Sequence, residues 1–200
     1  FIEYALKHNR VWFARRIDIA KHWSNHHPPL LGKLVPSKMT KSNFVEIFGG
    51  VFEHSAWIAD RAFDAELGPA HDTALGLHAA LVIQFRLASV QDRLGVLRAH
   101  PDLAGKLAAA NGLTLDSSSE QAEAGLNSLT DKERTIFEEL NESYTKKFGF
   151  PFILAVKKLK KEQILATFKE RIDNDQETEF IQACQQVERI TLLRIIDLFN

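Results

Sequence analysis

The stretch LRAHPDLAGK, residues 97–106, sets a histidine, a proline and an aspartate in succession. Imidazole is the side chain whose ordinary pKa lets it take up and release a proton near neutral pH. Proline disfavours helical geometry in the residue before it, so a helix should end at His100. Pro101 suits the first position of a new helix, with Asp102 near its positive end. His100 is therefore expected at a junction, where it either faces a cleft or merely caps a turn. A second stretch, LDSSSEQAEAGL (115–126), reads in two ways. Ser117 and Glu120 have the spacing of a capping box. Alternatively Ser117, Ser118, Ser119 and Gln121, beside the free N–H groups of a helix start, hold a polar anionic ligand. The third stretch is KKFGFPFILAV (146–156), in which Phe148, Phe150 and Phe152 alternate around Gly149 and Pro151. It predicts an extended buried loop and then a helix starting near Pro151. The loop either anchors the preceding helix to the core or leaves the N–H groups from Phe152 onward facing a pocket.

The elements that must position these residues are helical. Phe44, Ile47, Phe48, Val51, Phe52, Ala56 and Trp57 recur in steps of three and four, which predicts one helix of about five turns. Residues 73–88 give another stripe, and Ser89 suits the N-cap of a helix carrying Leu94, Val96 and Leu97. Residues 129–149 open with a Thr130/Glu133 capping box and stop at Gly149. Residues 161–172 and 176–199 supply two more, and no strand-period run of useful length follows residue 40. The expected fold is all-α: a single domain of helical hairpins around one core. LGKLVPSKMTKSN (31–43) reads as a linker, which leaves a short N-terminal extension before it.

Composition narrows the function classes. Hydrophobic residues make up 45% and charged residues 26%, with a net charge of −1. Those are the values of a soluble globular protein, and no global field favours nucleic acid or an anionic membrane. No apolar run is long enough to span a bilayer, and no secretory signal opens the sequence. The single cysteine, Cys184, lies at helical spacing with Phe180 and Val187 and is expected to be a buried, inert thiol in a reducing compartment. His54 and His78 fall within the helical stripes and are read as structural, with His54 the one that could line the cleft. His22, His26 and His27 include an i,i+4 pair that could hold a metal, but no carboxylate or thiol stands at a supporting interval, so no metal site is expected.

The order AHPDLAGK, then S-x-x-E-Q, then N-x-x-Y-x-x-x-F-G-F-P-F resembles the OHCU decarboxylase family, over roughly residues 38 to 195. FVEIFGGVFEHSAWIADRAF, AGLNSL (124–129) and the ERITLLRI region extend the likeness. Enzymes of that family act on 2-oxo-4-hydroxy-4-carboxy-5-ureidoimidazoline (OHCU), between urate and allantoin. The resemblance implies an all-α decarboxylase that uses no cofactor and is often a homodimer. It implies His100 and Glu120 as catalytic residues, here expected to be a proton-handling pair. It implies substrate binding by Pro101, by Ser117, Ser118, Ser119 and Gln121, and by Phe152, Ile153, Leu154, Ala155 and Val156, with Arg171 as a further ligand. The rival reading is a catalytically inactive helical scaffold.

Residues 1–30 resemble something else. VWFARRIDIAKHW (11–23) is similar to the closing stretch of the polysaccharide-deacetylase-type allantoinases. This implies three parts: an allantoinase remnant at 1–30, a linker at 31–43 and the decarboxylase domain at 44–200. The partners expected are then the small-molecule substrate, a second copy and an allantoinase domain in a parent fusion. A cytoplasmic location is expected, or a peroxisomal one in a eukaryote, although DLFN at the end is no peroxisomal address.

Overall fold

Threonine, serine and aspartate side chains start most of the helices, because each accepts a hydrogen bond from a first-turn N–H that has no partner of its own. In the computed structural model, which describes residues 34–104 and 114–200, Thr40, Thr73, Ser89, Thr114, Thr130 and Asp175 all cap in this way. The described residues of the unit Val35–Asn200 form eight α-helices and no strand. They are α1 (Lys41–Phe48), α2 (Trp57–Asp64), α3 (Ala74–Leu87), α4 (Val90–Ala99), α5 (Leu115–Glu123), α6 (Asp131–Phe148), α7 (Lys161–Arg171) and α8 (Gln176–Phe199). The all-α expectation holds, as do the Ser89 cap, the Thr130/Glu133 capping box and the stop at Gly149. The stretch 11–23 and the spacing of His22, His26 and His27 lie outside the described residues, as do residues 105–113.

The long α8 is the axis of the body and packs on α3, α4 and α6. Its buried face carries Ala183, Cys184, Val187, Ile190, Thr191, Arg194 and Ile195. Phe44, Phe48, Phe52, Ile58, Leu77, Leu81 and Phe85 fill one part of the core. Tyr144, Phe150, Phe152 and Phe168 fill another, with Phe152 stacked on Phe168 at 3.9 Å between ring centroids. Full burial of one such side chain contributes about 1.5–3 kcal/mol, so these rings fix how the helices meet.

Six local expectations are corrected. The helix of five turns from Phe44 is two short helices, α1 and α2, separated by residues 49–56. Val51, Phe52, Glu53 and Ser55 are all buried, and one helix face cannot bury residues so close in sequence. The chain instead turns at Gly49, where a Cβ would run into the Val45 carbonyl and lie 3.2 Å from Ala56 Cβ. His54 sits in this turn, exposed and at φ 54°, rather than within a helix. No helix starts at Pro151. Phe150, Phe152, Ile153, Leu154 and Val156 are all buried, a pattern that only a non-helical segment threaded through the core can satisfy, and α7 begins ten residues later, at Lys161. The helix expected from Pro101 is likewise absent over residues 101–104, which form a turn. Finally, α5 is capped by Thr114, whose side chain accepts from Ser117 N–H, so Ser117 and Glu120 are not its capping box. At the other end of the expected linker, residues 41–43 are already the first turn of α1.

Two quieter expectations stand. Cys184 is buried, and burial pushes its thiol up to about 11, which keeps it protonated and inert. His78 is bonded through Nε2 to the Glu188 carbonyl oxygen at 2.8 Å, a structural contact between α3 and α8.

Candidate active site

Pro101 ends α4 and leaves His100 as its C-cap in extended geometry, φ −74° and ψ 134°. The imidazole is 10% exposed, and its Nδ1 lies 3.6 Å from Oε2 of Glu53. That distance is too long for a hydrogen bond, but a carboxylate so near favours the charged form of the imidazole. The turn at residues 49–56 is what carries Glu53 into the core. Its carboxylate accepts from Ser117 Oγ at 2.6 Å and from Thr114 Oγ1 at 2.5 Å. Thr114 thus caps α5 and ties it to Glu53 at once.

Arg194 closes the cluster from α8. Its Nη2 is 3.4 Å from Glu53 Oε2 and donates to Ser117 Oγ at 3.1 Å. Nε and Nη2 also form a two-pronged pair with Glu120, at 2.9 and 3.0 Å, the geometry that makes arginine a strong partner for planar carboxylates. Burial pulls the His100 pKa down to about 4. The Glu53 carboxylate opposes that shift, while Arg194 and His54 add to it. His100 is therefore neutral at pH 7. Burial alone would raise the Glu53 carboxyl, but the hydroxyls of Ser117 and Thr114, with His100 and Arg194, hold it below the usual range.

A cleft of about 300 Å³ opens beside this cluster, lined by residues that include Val51, Asp116, Ser119, Glu120, Lys157 and Arg194. Its two cations are already paired: Arg194 with Glu120, and Lys157 with Asp197. An anionic ligand entering here must exchange with a carboxylate. His100 is not on the wall of the cleft; it meets Arg194's partner Glu53.

The structure brings together His100, Ser117 and Glu120, but Glu120 reaches Arg194 while Glu53 faces the histidine. Ser119 is at the cleft, Ser118 is exposed, and Pro101 is buried beside His100. Both ends of the Gln121 amide are taken by the turn after His100: Oε1 accepts from Ala104 N–H at 3.0 Å, and Nε2 donates to the Asp102 carbonyl at 3.3 Å. Phe152, Ile153, Leu154 and Val156 point into the core. Ala155 N–H donates to Gln186 at 3.0 Å, and Leu154 and Ala155 help to line a separate groove with Lys157 and Arg189. Arg171 is not at the cluster. It is buried in an ion pair with Glu179, to which Tyr144 also donates, and its Nη1 donates to the Ile153 carbonyl at 2.7 Å. Among the described residues no three His, Cys, Asp or Glu side chains are grouped to hold a metal ion.

Glu53 and Arg194 escaped the sequence reading. In a continuous helix from Phe44, Glu53 would fall on the solvent face, so its signal was hidden by the missed turn. Arg194 did carry one: it stands at the same spacing as Val187, Ile190 and Thr191 on an otherwise apolar stripe, and a charge there is paired or functional.

An all-helical body that holds a neutral imidazole, two carboxylates and a guanidinium beside a small cleft has the parts of an enzyme that moves protons on a small polar substrate. The OHCU decarboxylase family model matches residues 37–196. The chain is 36% identical over 164 residues to the 2-oxo-4-hydroxy-4-carboxy-5-ureidoimidazoline decarboxylase of Haloferax volcanii, covering 82% of this chain and 94% of that protein. It is 36% identical over 164 residues to the uric acid degradation bifunctional protein of a Bacillus species, covering 82% of this chain but only 31% of that longer protein. A crystal structure of OHCU decarboxylase in the presence of (S)-allantoin superposes with a TM-score of 0.59 at 27% identity, over 74% of this chain and 94% of that one. The chain belongs to the OHCU decarboxylase family.

Proposed function

We propose that His100, Glu53, Arg194 and Glu120 form the centre at which this chain decarboxylates OHCU to (S)-allantoin in urate degradation. The observation that carries the assignment is a largely buried imidazole 3.6 Å from Glu53, with one guanidinium shared between Glu53 and Glu120. In the reaction the bond from C4 to the carboxylate breaks and CO2 leaves. The electron pair flows into the neighbouring ring C=N, whose nitrogen takes a proton from solvent to leave an enol at C4 and C5. That enol then takes a proton at C5 on one face while its C4 hydroxyl loses one and becomes a carbonyl. A neutral His100 can accept the hydroxyl proton and return a proton to C5, because an imidazole can act in both directions. Glu53 stabilises the imidazolium formed between those steps. Arg194 is the anion anchor: the substrate carboxylate takes the place of Glu120 on the guanidinium, which lies within reach of Glu53 beside His100. The hydroxyl of Ser119 and the walls from Val51 and Asp116 then shape the cleft around the ureido group.

The test is absorbance and circular dichroism of freshly made OHCU with and without the chain. Accelerated loss of substrate with appearance of one allantoin enantiomer supports the reading. A rate equal to the spontaneous one favours the inactive scaffold instead.

Two finer readings accompany it. Residues 1–30 are the end of an allantoinase-type domain, on the strength of their resemblance; the longer relative from a Bacillus species bears only on the occurrence of such decarboxylases in bifunctional chains. The decarboxylase body works as a homodimer in a reducing, cytoplasmic setting, as the family resemblance and the single inert cysteine suggest. Sedimentation of the purified chain tests the first half of that statement.

A further inference from the structure

We propose that Asn141 is a positioning residue for His100, acting through the carbonyl of Leu103. The inference rests on the reading of His100 as the proton-handling group. Asn141 stands in the middle of α6, on the face whose other buried members are Phe137, Tyr144 and Phe148. An amide is a poor choice there: it is a weak helix former, and its burial must be offset by a hydrogen bond. That bond goes to neither neighbour on the helix. Asn141 Nδ2 donates to the Leu103 carbonyl at 2.8 Å, across 38 residues of sequence.

Leu103 belongs to the turn that follows His100. Residues 101–104 are themselves not helical, and Ala104 lies at φ 52°, a left-handed geometry that a residue with a Cβ rarely adopts. Side chains from two other helices hold it instead. Gln121 on α5 takes the Asp102 carbonyl and the Ala104 N–H, and Asn141 takes the carbonyl between them. Pro101 has a fixed φ, so a shift at Leu103 is passed on to His100 with little slack. The imidazole has no hydrogen bond to Glu53 to correct it, only the 3.6 Å approach. Its aim is set by the backbone, and the backbone is set by these two amides.

The experiment is a double-mutant cycle on the full chain with OHCU as substrate, with the fold of each variant checked by circular dichroism and thermal midpoint. Asn141→Ala should lower kcat by about 10- to 100-fold, the cost of a small misplacement of a reacting group, while KM moves by less than about 3-fold. In the His100→Ala background the same change should cost nothing further, because the group it aims is gone. An unchanged kcat in Asn141→Ala overturns the proposal, and so does an equal loss in both backgrounds. Should Asn141→Ala not fold, Asn141→Asp and Asn141→Ser are read by the same cycle; failure of all three to fold makes the role structural and also overturns it. If His100→Ala itself keeps the wild-type rate, it is the assignment of His100 that fails, which the single variant shows on its own.

Discussion

At the residue scale the chemistry turns on which carboxylate faces His100. Glu53 does, at 3.6 Å, and Glu120 pairs with Arg194. His100→Ala should lose decarboxylation by about 10²–10⁴-fold in kcat, the usual worth of general acid–base assistance, with the thermal midpoint little changed. Retention of more than half the wild-type turnover would remove His100 from the mechanism. Glu53→Gln should cost about 10-fold or more in kcat, because the imidazolium loses its counter-charge; full activity would leave Glu53 a purely structural tie to α5. The pH profile carries a sign. Burial holds the His100 pKa at about 4, below its ordinary value of 6.5. The kcat/KM limb that reports the free enzyme should thus stay level as pH falls from 7 and drop only near 4. A limb centred near 6.5 would mean a solvated histidine. The same shift makes the folded state bind fewer protons than the unfolded chain between those values. Stability linked to His100 is therefore complete above about 6.5 and is lost as pH falls toward 4. Denaturant midpoints measured across that window should fall in the wild type and fall less in His100→Gln.

At the scale of elements, the site depends on where helices stop. Gly149 closes α6 at φ 77°, and its carbonyl accepts from Arg98 Nε at 3.0 Å, which ties the end of α6 to the helix that carries His100. Gly149→Ala forces a Cβ into left-handed geometry and should cost about 1 kcal/mol by denaturant unfolding, with activity per folded molecule retained. A loss well below that would mean the turn relaxes without cost. The turn at residues 49–56 has more at stake, because it delivers Glu53. A side chain at Gly49 meets the Val45 carbonyl and Ala56. Gly49→Val should therefore lower stability by about 1–3 kcal/mol and reduce kcat as well. Unfolding and turnover measured on one preparation separate the two effects.

For the whole molecule, the question is what the decarboxylase body needs. The family match begins at residue 37, and the unit of Val35–Asn200 contains every residue of the His100 cluster. A chain that starts at Val35 should fold and decarboxylate at close to the full rate, as seen by turnover and thermal midpoint beside the 200-residue chain. Loss of folding or activity on truncation would make residues 1–34 part of the catalytic body and would sink the remnant reading in its structural sense.

What the sequence determined by itself was local and periodic: the helical class, the caps at Ser89 and Thr130, the stop at Gly149, and the end of α4 at His100. These follow from steric rules within a few residues, and the sequence states them outright. The motifs, by family likeness rather than by physics, singled out His100, Ser117 and Glu120, but the expected pairing of His100 with Glu120 is replaced by His100 with Glu53 and Glu120 with Arg194. Tertiary structure alone decided the partners. Whether Phe44 to Trp57 runs straight or turns depends on how many of its residues the rest of the fold can bury, a long-range matter that periodicity averages away. Because the chain does turn, Glu53 enters the core, and from α8, 141 residues away, Arg194 meets it. Arg171 was drawn the other way, into an ion pair with Glu179 beneath Phe152. A charged side chain records in sequence only that it must be paired once buried; which partner it finds is settled by packing.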